Sequence, residues 1–333
     1  MTIRACVAGA GGFIGHHMVR YLKAEGYWVR AVDVKPPEFE PTHADEFELL
    51  DLREFDNCLK ATSGVDEVYQ LAADMGGIGY ITAFHADVAR NNVLINAHML
   101  ESSHRQRVGL YFFSSSACIY PTYRQEIPDV TPLKEEHAYP ADPEEGYGWE
   151  KLYAEKLCQY YLEEGKLRTR IARFHNIYGP LGTYDGGREK APAAICRKVA
   201  LTPDGGEVEV WGDGAQTRSF TYIDDCVEGI FRLAHSNHAD PLNLGTDELI
   251  SVDGLVDLIC DIAGKKLEKR HDPAMPQGVR GRNSDNGRLR EVLGWEPPTP
   301  LETGLRHTYR WIESQVQEAG RVPETVAAAT VQG

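Results

Sequence analysis

Tyr147 and Lys151 stand four residues apart in the string YGWEK, so that on a helix both side chains share one face. A phenol beside an ammonium has its deprotonated form stabilised, which lowers its pKa from about 10 toward working pH. Such a pair can take the proton of an alcohol or sugar hydroxyl while a hydride leaves for a nicotinamide. On a surface helix the same spacing is commonly structural, and position decides between the two readings. Here the pair follows a strand-like run ending in Ser114, Ser115 and Ser116, where a parallel sheet places its ligand crevice. A second signal, GAGGFIG over residues 9–15, leaves an apolar run and opens an amphipathic one. Its glycines permit a tight turn and bring backbone N–H groups and a positive helix end up to a pyrophosphate. Gly9, Gly12 and Gly15 give GxxGxxG rather than the commoner GxGxxG. Asp33 ends the next strand-like run; a carboxylate there accepts from an adenosine ribose and repels a 2′-phosphate, favouring NAD over NADP. The alternative is a solvated aspartate opening the turn before Pro36 and Pro37.

Elements able to position these groups are visible in the hydrophobic pattern. Residues 3–8, 28–33, 67–71, 108–114 and 169–174 are short runs rich in apolar and β-branched side chains. Stretches with helical period lie between them, over 13–24, 85–103 and 147–163. This alternation predicts an α/β fold with a Rossmann-type doubly wound parallel sheet. Beyond Phe174 the chain becomes dense in Gly and Pro, with a strand-like piece at 207–211 and helices from Asp224, Val252 and Leu301. We expect a nucleotide-binding domain over 1–174 with returning segments at about 220–245. A smaller mixed lobe is expected over 175–219 and 246–318, and a disordered tail over 319–333.

Composition narrows the function classes. The 333 residues are 42% hydrophobic and 26% charged, enough apolar material for a large core. Fifty acidic against thirty-five basic residues give a formal charge of −15, which argues against coating nucleic acid or an anionic membrane. No apolar run is long enough to suggest a membrane span, and the N-terminus enters a strand pattern directly. A cytoplasmic location is expected. Seven scattered cysteines without a CxxC support neither a disulfide framework nor a zinc site, and the histidines show no metal-ligand spacing. A diphosphate would still need cations: Arg218, Arg280 and Arg282 are candidates, with Arg188 and Lys198 behind them. Arg282 could instead brace its loop. Asn176 is a candidate polar contact to substrate, and Gly76 and Gly77 would let backbone approach a hexose closely.

Taken in order, GAGGFIG, Asp33, Asp51-Leu52, LAA at 71–73, SSSACIYP at 114–121, YGWEK and RFHNIYGP at 173–180 resemble the extended short-chain dehydrogenase/reductase superfamily of sugar-nucleotide epimerases and dehydratases. The resemblance runs over roughly residues 3–315. It implies a catalytic trio of Ser116, Tyr147 and Lys151. It also implies NAD held by Gly9, Gly12, Phe13, Ile14, Gly15 and Asp33, with Asp51, Leu52, Leu71, Ala72, Tyr147 and Lys151 alongside. A homodimer is a further implication.

Longer strings narrow the resemblance: ADMGGIGY at 73–80, GGREKAPAA at 186–194, WGDGAQTRSFTYIDDCVEG at 211–229 and VRGRNSDN at 279–286 are similar to the GDP-mannose 3,5-epimerases. That family implies Cys118 and Lys190 as an acid/base pair and a GDP-sugar substrate contacting Gly76, Gly77, Ser116, Asn176, Lys190, Arg218 and Arg280. Taken alone, Cys118 also reads as a small buried residue and Lys190 as a loop lysine. The chemistry explains the residue types. Oxidation at C4 makes the hydrogens on C3 and C5 acidic; a thiol and an amine then exchange protons on opposite ring faces, and returning the hydride restores the alcohol. The implied products are GDP-L-galactose and, after inversion at C5 alone, GDP-L-gulose. A 4-epimerase or dehydratase using the same Tyr147 and Lys151 is the competing enzyme, and a non-catalytic nucleotide-binding module the competing class.

Overall fold

Apolar runs separated by helical stretches dictate the first half of the chain. In the computed structural model, which describes residues 2–320, it runs β1 (Arg4–Ala8), α1 (Phe13–Ala24), β2 (Trp28–Asp33), β3 (Glu46–Leu49), α2 (Phe55–Thr62) and β4 (Glu67–Gln70). Then follow α3 (Ile78–Ala83), α4 (His85–Arg105), β5 (Leu110–Ser116), α5 (Glu145–Glu163), β6 (Thr169–Phe174) and β7 (Ile177–Tyr178). The second half comprises α6 (Ala191–Leu201), β8 (Glu207–Trp211), β9 (Thr217–Ser219), β10 (Thr221–Tyr222), α7 (Ile223–Ala234) and β11 (Leu242–Leu244). It ends with β12 (Leu249–Ser251), α8 (Val252–Ala263), β13 (Glu268–Asp272), β14 (Gly281–Arg282), α9 (Gly287–Leu293) and α10 (Leu301–Ala319).

Seven strands form one parallel sheet in the order β11-β6-β5-β4-β1-β2-β3. Parallel pairing requires crossovers, and the crossover helices cover both faces, so the central strands must be apolar on both sides. β1 meets that demand. Ala5 and Val7 join a core that includes Met18, Val19 and Leu22 of α1, whereas Cys6 and Ala8 join one with Tyr111, Phe113 and Ile171. β5 reads LYFFSSS: it is buried along its apolar stretch and delivers its hydroxyls at the carboxyl end. α1 forms because its apolar positions recur at helical spacing toward the sheet, and Lys23 in its last turn complements the helix dipole.

Smaller sheets complete the substrate side, in the orders β12-β9-β14, β13-β8 and β10-β7, with α6, α8 and α10 packed on one another. β11 rejoins the main sheet beside β6. Residues 221–234 return differently: β10 pairs with β7 outside that sheet, and α7 packs against α1. β3 has no counterpart among the apolar runs, because its sequence EFEL sits half exposed at the sheet edge. α10 continues through Ala319, one residue into the expected tail, and the rest of that tail, 321–333, lies outside the described residues. Among the described residues no helix is long and apolar enough to cross a membrane.

Candidate active site

Strand order reverses beside β1, with β2 on one side and β4 on the other, and a cavity of about 1030 Å³ opens at the carboxyl ends of these strands. That is where open α/β sheets bind ligands. Every residue expected at cofactor or substrate lines this cavity except Arg280.

One end is a backbone cradle. Gly9 has φ +81°, and a Cβ there would stand 2.7 Å from Ala72 backbone atoms of the adjoining chain. Only glycine lets the turn pass so close. Gly12 caps α1 without a side chain, leaving the first-turn amides for an anion. Asp33 accepts from the Gly11 amide at 2.9 Å and the Val34 amide at 2.7 Å, so the carboxylate is locked to the turn. Burial raises its pKa, while those amides oppose the rise. Asp51 pairs with Arg53 at 2.6 Å, which holds its carboxyl below the usual range. The free amides, the space a Cβ would fill and the carboxylate at the end of β2 together fit a dinucleotide.

The other end is built from side chains. Ser116 closes β5, and a short turn then presents Cys118, whose amide donates to Ser116 Oγ at 3.2 Å. Helix α5 brings Tyr147 and Lys151 alongside. It can do so because Gly148 has no side chain: a Cβ there would sit 2.3 Å from the Cys118 carbonyl. Lys151 donates to the Ser114 carbonyl at 3.1 Å, and its ammonium lies 5.6 Å from the Tyr147 ring centroid. Burial pulls Lys151 down, opposed by Glu150 at 3.9 Å. The phenol departs from the sequence expectation: burial pushes Tyr147 well above its usual range, with Cys118 and Glu150 adding to the rise and Ser116 opposing it. A nearby cation can offset burial only if its charge reaches the oxygen, and Lys151 is directed at Ser114.

Lys190 precedes α6 and faces the cavity. Lys190 is exposed to solvent at the cavity wall, where the protein atoms crowded around it lower its ammonium and Cys118 opposes the fall. A clasp fixes the loop it follows: the Gly77 amide donates to the Arg188 carbonyl at 3.1 Å, Arg188 stacks 3.9 Å from the Tyr80 ring centroid, and Tyr80 donates to Asp74 at 2.9 Å. Asn176 (φ +43°) donates to the Ser219 carbonyl at 3.0 Å, which orients its amide at the wall.

The arginines separate. Arg218 lines the cavity and donates to the Thr217 and Val279 carbonyls, each at 2.7 Å; burial lowers its pKa to about 10. Arg280 instead makes a bidentate pair with Asp213 at 3.0 and 2.9 Å, outside the lining. Arg282 does line the cavity, donating to Cys118 Sγ at 3.4 Å and to Glu144 at 2.7 Å. Sequence reasoning gave Asp74 and Glu144 no role. Glu144 stands three residues before Tyr147 and reads locally as an acidic residue at a helix start.

A cleft joining an anion-binding turn to a phenol, a lysine and a thiol is suited to dinucleotide-dependent redox chemistry on an alcohol. Residues 5–245 match the NAD dependent epimerase/dehydratase family, and the chain belongs to that family. It is 49% identical to GDP-mannose 3,5-epimerase 1 of Oryza sativa subsp. japonica over 318 residues, covering 95% of this chain and 83% of that protein. It is 48% identical to GDP-mannose 3,5-epimerase of Arabidopsis thaliana, covering 95% and 84%. Among solved structures, a UDP-glucose 4-epimerase from Thermotoga maritima with UDP-glucose superposes with a TM-score of 0.85 at 26% identity, covering 95% of this chain and 100% of that one. A UDP-glucuronic acid 4-epimerase from Bacillus cereus in complex with UDP-glucuronic acid and NAD gives 0.80 at 25% identity, covering 95% and 100%.

Proposed function

We propose that this chain is an NAD-dependent GDP-mannose 3,5-epimerase, converting GDP-D-mannose to GDP-L-galactose, with GDP-L-gulose as the product of inversion at C5 alone. The observation that carries this reading is that Cys118 and Lys190 line the same cavity as Ser116, Tyr147 and Lys151. The likeness to the rice and Arabidopsis proteins supports it.

Bound NAD supplies an electron-deficient pyridinium that accepts and returns a hydride, and whose positive charge favours a phenolate beside it. The glycine turn, Asp33, Asp51, Leu52, Leu71 and Ala72 would hold the dinucleotide. Tyr147 takes the C4 hydroxyl proton, Ser116 hydrogen-bonds the same oxygen, and Lys151, anchored on the Ser114 carbonyl, places its ammonium 5.6 Å from the Tyr147 ring centroid. Once C4 is a ketone, Cys118 and Lys190 remove a proton from one face of C5 or C3 and return one to the other. Gly76 and Gly77 leave room for the hexose, Asn176 contacts it, and Arg218 faces its diphosphate. Arg280 contributes through the Asp213 pair that fixes the loop before Arg282.

The protein acts as a homodimer in the cytoplasm on this reading. Trp149, Tyr153 and Tyr160 are about half exposed along one face of α5, next to exposed Val93 and Leu94 on the adjoining α4, a surface suited to self-association. Seven buried, unpaired cysteines suit a reducing compartment. Incubation with GDP-mannose in heavy water, followed by NMR of every sugar formed, tests the activity. Deuterium should enter C5 and C3 of new sugar nucleotides; substrate recovered without isotope overturns the proposal, and inversion at C4 alone would identify a 4-epimerase.

A further inference from the structure

Arg282 occupies a demanding position. Its residue is 5% exposed, and its guanidinium spends its donors on three side chains: Nε to Gln125 Oε1 at 2.7 Å, Nη2 to Glu144 Oε2 at 2.7 Å, and Nη1 to Cys118 Sγ at 3.4 Å. Glu144 is equally buried, and its amide donates to the Cys118 carbonyl at 2.9 Å, so one turn holds both the carboxylate and the thiol. The three charged or ionisable groups form a closed cluster in which the cation touches two groups able to carry its counter-charge.

We propose that Glu144 is a positioning residue for Cys118: as the fixed counter-ion of Arg282, it keeps the resting thiol protonated. The proposal rests on the reading of Cys118 as an acid/base group. A buried cation requires a compensating anion nearby. Glu144 supplies it: burial alone would raise its carboxyl, but the charge and hydrogen bond of Arg282, with Arg218 and Cys118 adding to them, together hold it below its usual range. With the counter-charge already in place, burial prevails at Cys118 and raises the thiol; Arg282 opposes the rise and Glu144 adds to it. Remove the carboxylate charge and the nearest group able to become negative against Arg282 is the thiol itself. Its pKa must then fall.

The other groups facing Cys118 do not replace Glu144. Lys190, Lys151 and Arg218 are cations that favour the thiolate, Ser116 carries no charge, and Tyr147 makes no hydrogen bond to Arg282. Glu144 is the carboxylate bonded to Arg282 at this corner. Its consequence for chemistry is a matched starting state: a protonated thiol in the same cavity as an amine whose ammonium its surroundings lower, one proton donor and one acceptor. Without Glu144 the pair starts as thiolate and ammonium, with the two roles reversed.

The test is the pH dependence of Cys118 alkylation by iodoacetamide in the NAD-loaded enzyme, read by mass spectrometry of the Cys118 peptide. Only the thiolate reacts, so the midpoint reports the thiol. Glu144→Gln should lower the midpoint by about one pH unit or more, a rise of about tenfold in alkylation rate at a fixed pH below it. Glu144→Asp should restore most of the wild-type value. Arg282→Gln should raise the midpoint, and the Glu144→Gln/Arg282→Gln double variant should return close to wild type. An unchanged midpoint in folded Glu144→Gln overturns the proposal. If that single variant does not fold, an unchanged midpoint in Arg282→Gln, or a double variant matching Arg282→Gln rather than wild type, overturns it equally. No substrate is present, so a shifted midpoint in a protein that fails the heavy-water test would sink the proposed function and leave the charge relation standing.

Discussion

Among the described residues two arginine–glutamate pairs are buried, and they are built differently. Arg173 and Glu155 meet fork to fork, Nε to Oε1 at 3.0 Å and Nη2 to Oε2 at 2.8 Å, with the remaining Nη1 taken by the Tyr120 hydroxyl and the Glu135 carbonyl. Neither residue lines the cavity. Arg282 and Glu144 share one contact at 2.7 Å, and the donor left over points at the Cys118 sulfur on the cavity wall. The first pair uses both carboxylate oxygens on the guanidinium and ties β6 to α5. The second leaves a corner whose charge state is free to change. Burial and pairing alone therefore do not mark a functional ion pair; an unfilled corner facing a ligand cavity does.

The comparison breaks most visibly on stability. Glu155→Gln leaves the Arg173 guanidinium with the Tyr120 phenol, which burial pushes up to about 12, and is expected to cost about 3–5 kcal/mol in urea unfolding. Glu144→Gln should cost less than half of that, because the Cys118 thiolate can take up the missing charge. Equal losses would show that the thiol does not answer to Arg282. A smaller effect, on turnover rather than stability, comes from Cys118→Ser. The hydroxyl keeps a hydrogen-bonding group beside Arg282 but ionises far less readily, so deuterium entry at C3 and C5 should fall at least about a hundredfold. Oxidation of substrate at C4 should persist, visible as NADH absorbance, since Tyr147 and Lys151 are untouched. Loss of both signals together would remove Cys118 from the inversion step and return it to a packing role.

What could be read in the sequence divides along the same line as these two regions. The dinucleotide cradle is one contiguous string, and its demands are local: a turn needing φ of +81° at Gly9 and a close approach to Ala72 leave only glycine there. Tyr147 and Lys151 were legible because a helix repeats at four residues. β3 was not, since a half-exposed edge strand reading EFEL has no apolar alternation to betray it. Glu144 was invisible for a different reason. Its partner Arg282 lies 138 residues away, and Cys118 lies 164 residues from that same arginine, so no local pattern joins them. The direction of the Tyr147 shift was misread because spacing gives the neighbour but not the burial, and burial is the larger influence.

The smallest expected effect sharpens the distinction between an arginine aimed at the cavity and one committed elsewhere. Arg218 and Arg280 were indistinguishable by residue type, yet only Arg218 lines the cavity, whereas Arg280 is satisfied by both oxygens of exposed Asp213. An exposed ion pair contributes about 0–1 kcal/mol, because water screens it. Arg280→Ala should therefore leave KM for GDP-mannose within about threefold of wild type, an energy difference under 1 kcal/mol. Arg218→Ala removes a charge-assisted donor from a site of low dielectric and should raise KM by about tenfold or more. Steady-state kinetics on the two variants decides the matter: a larger KM effect at Arg280 would mean that the loop carrying it turns inward when substrate binds, and that the Asp213 pair is broken during the catalytic cycle.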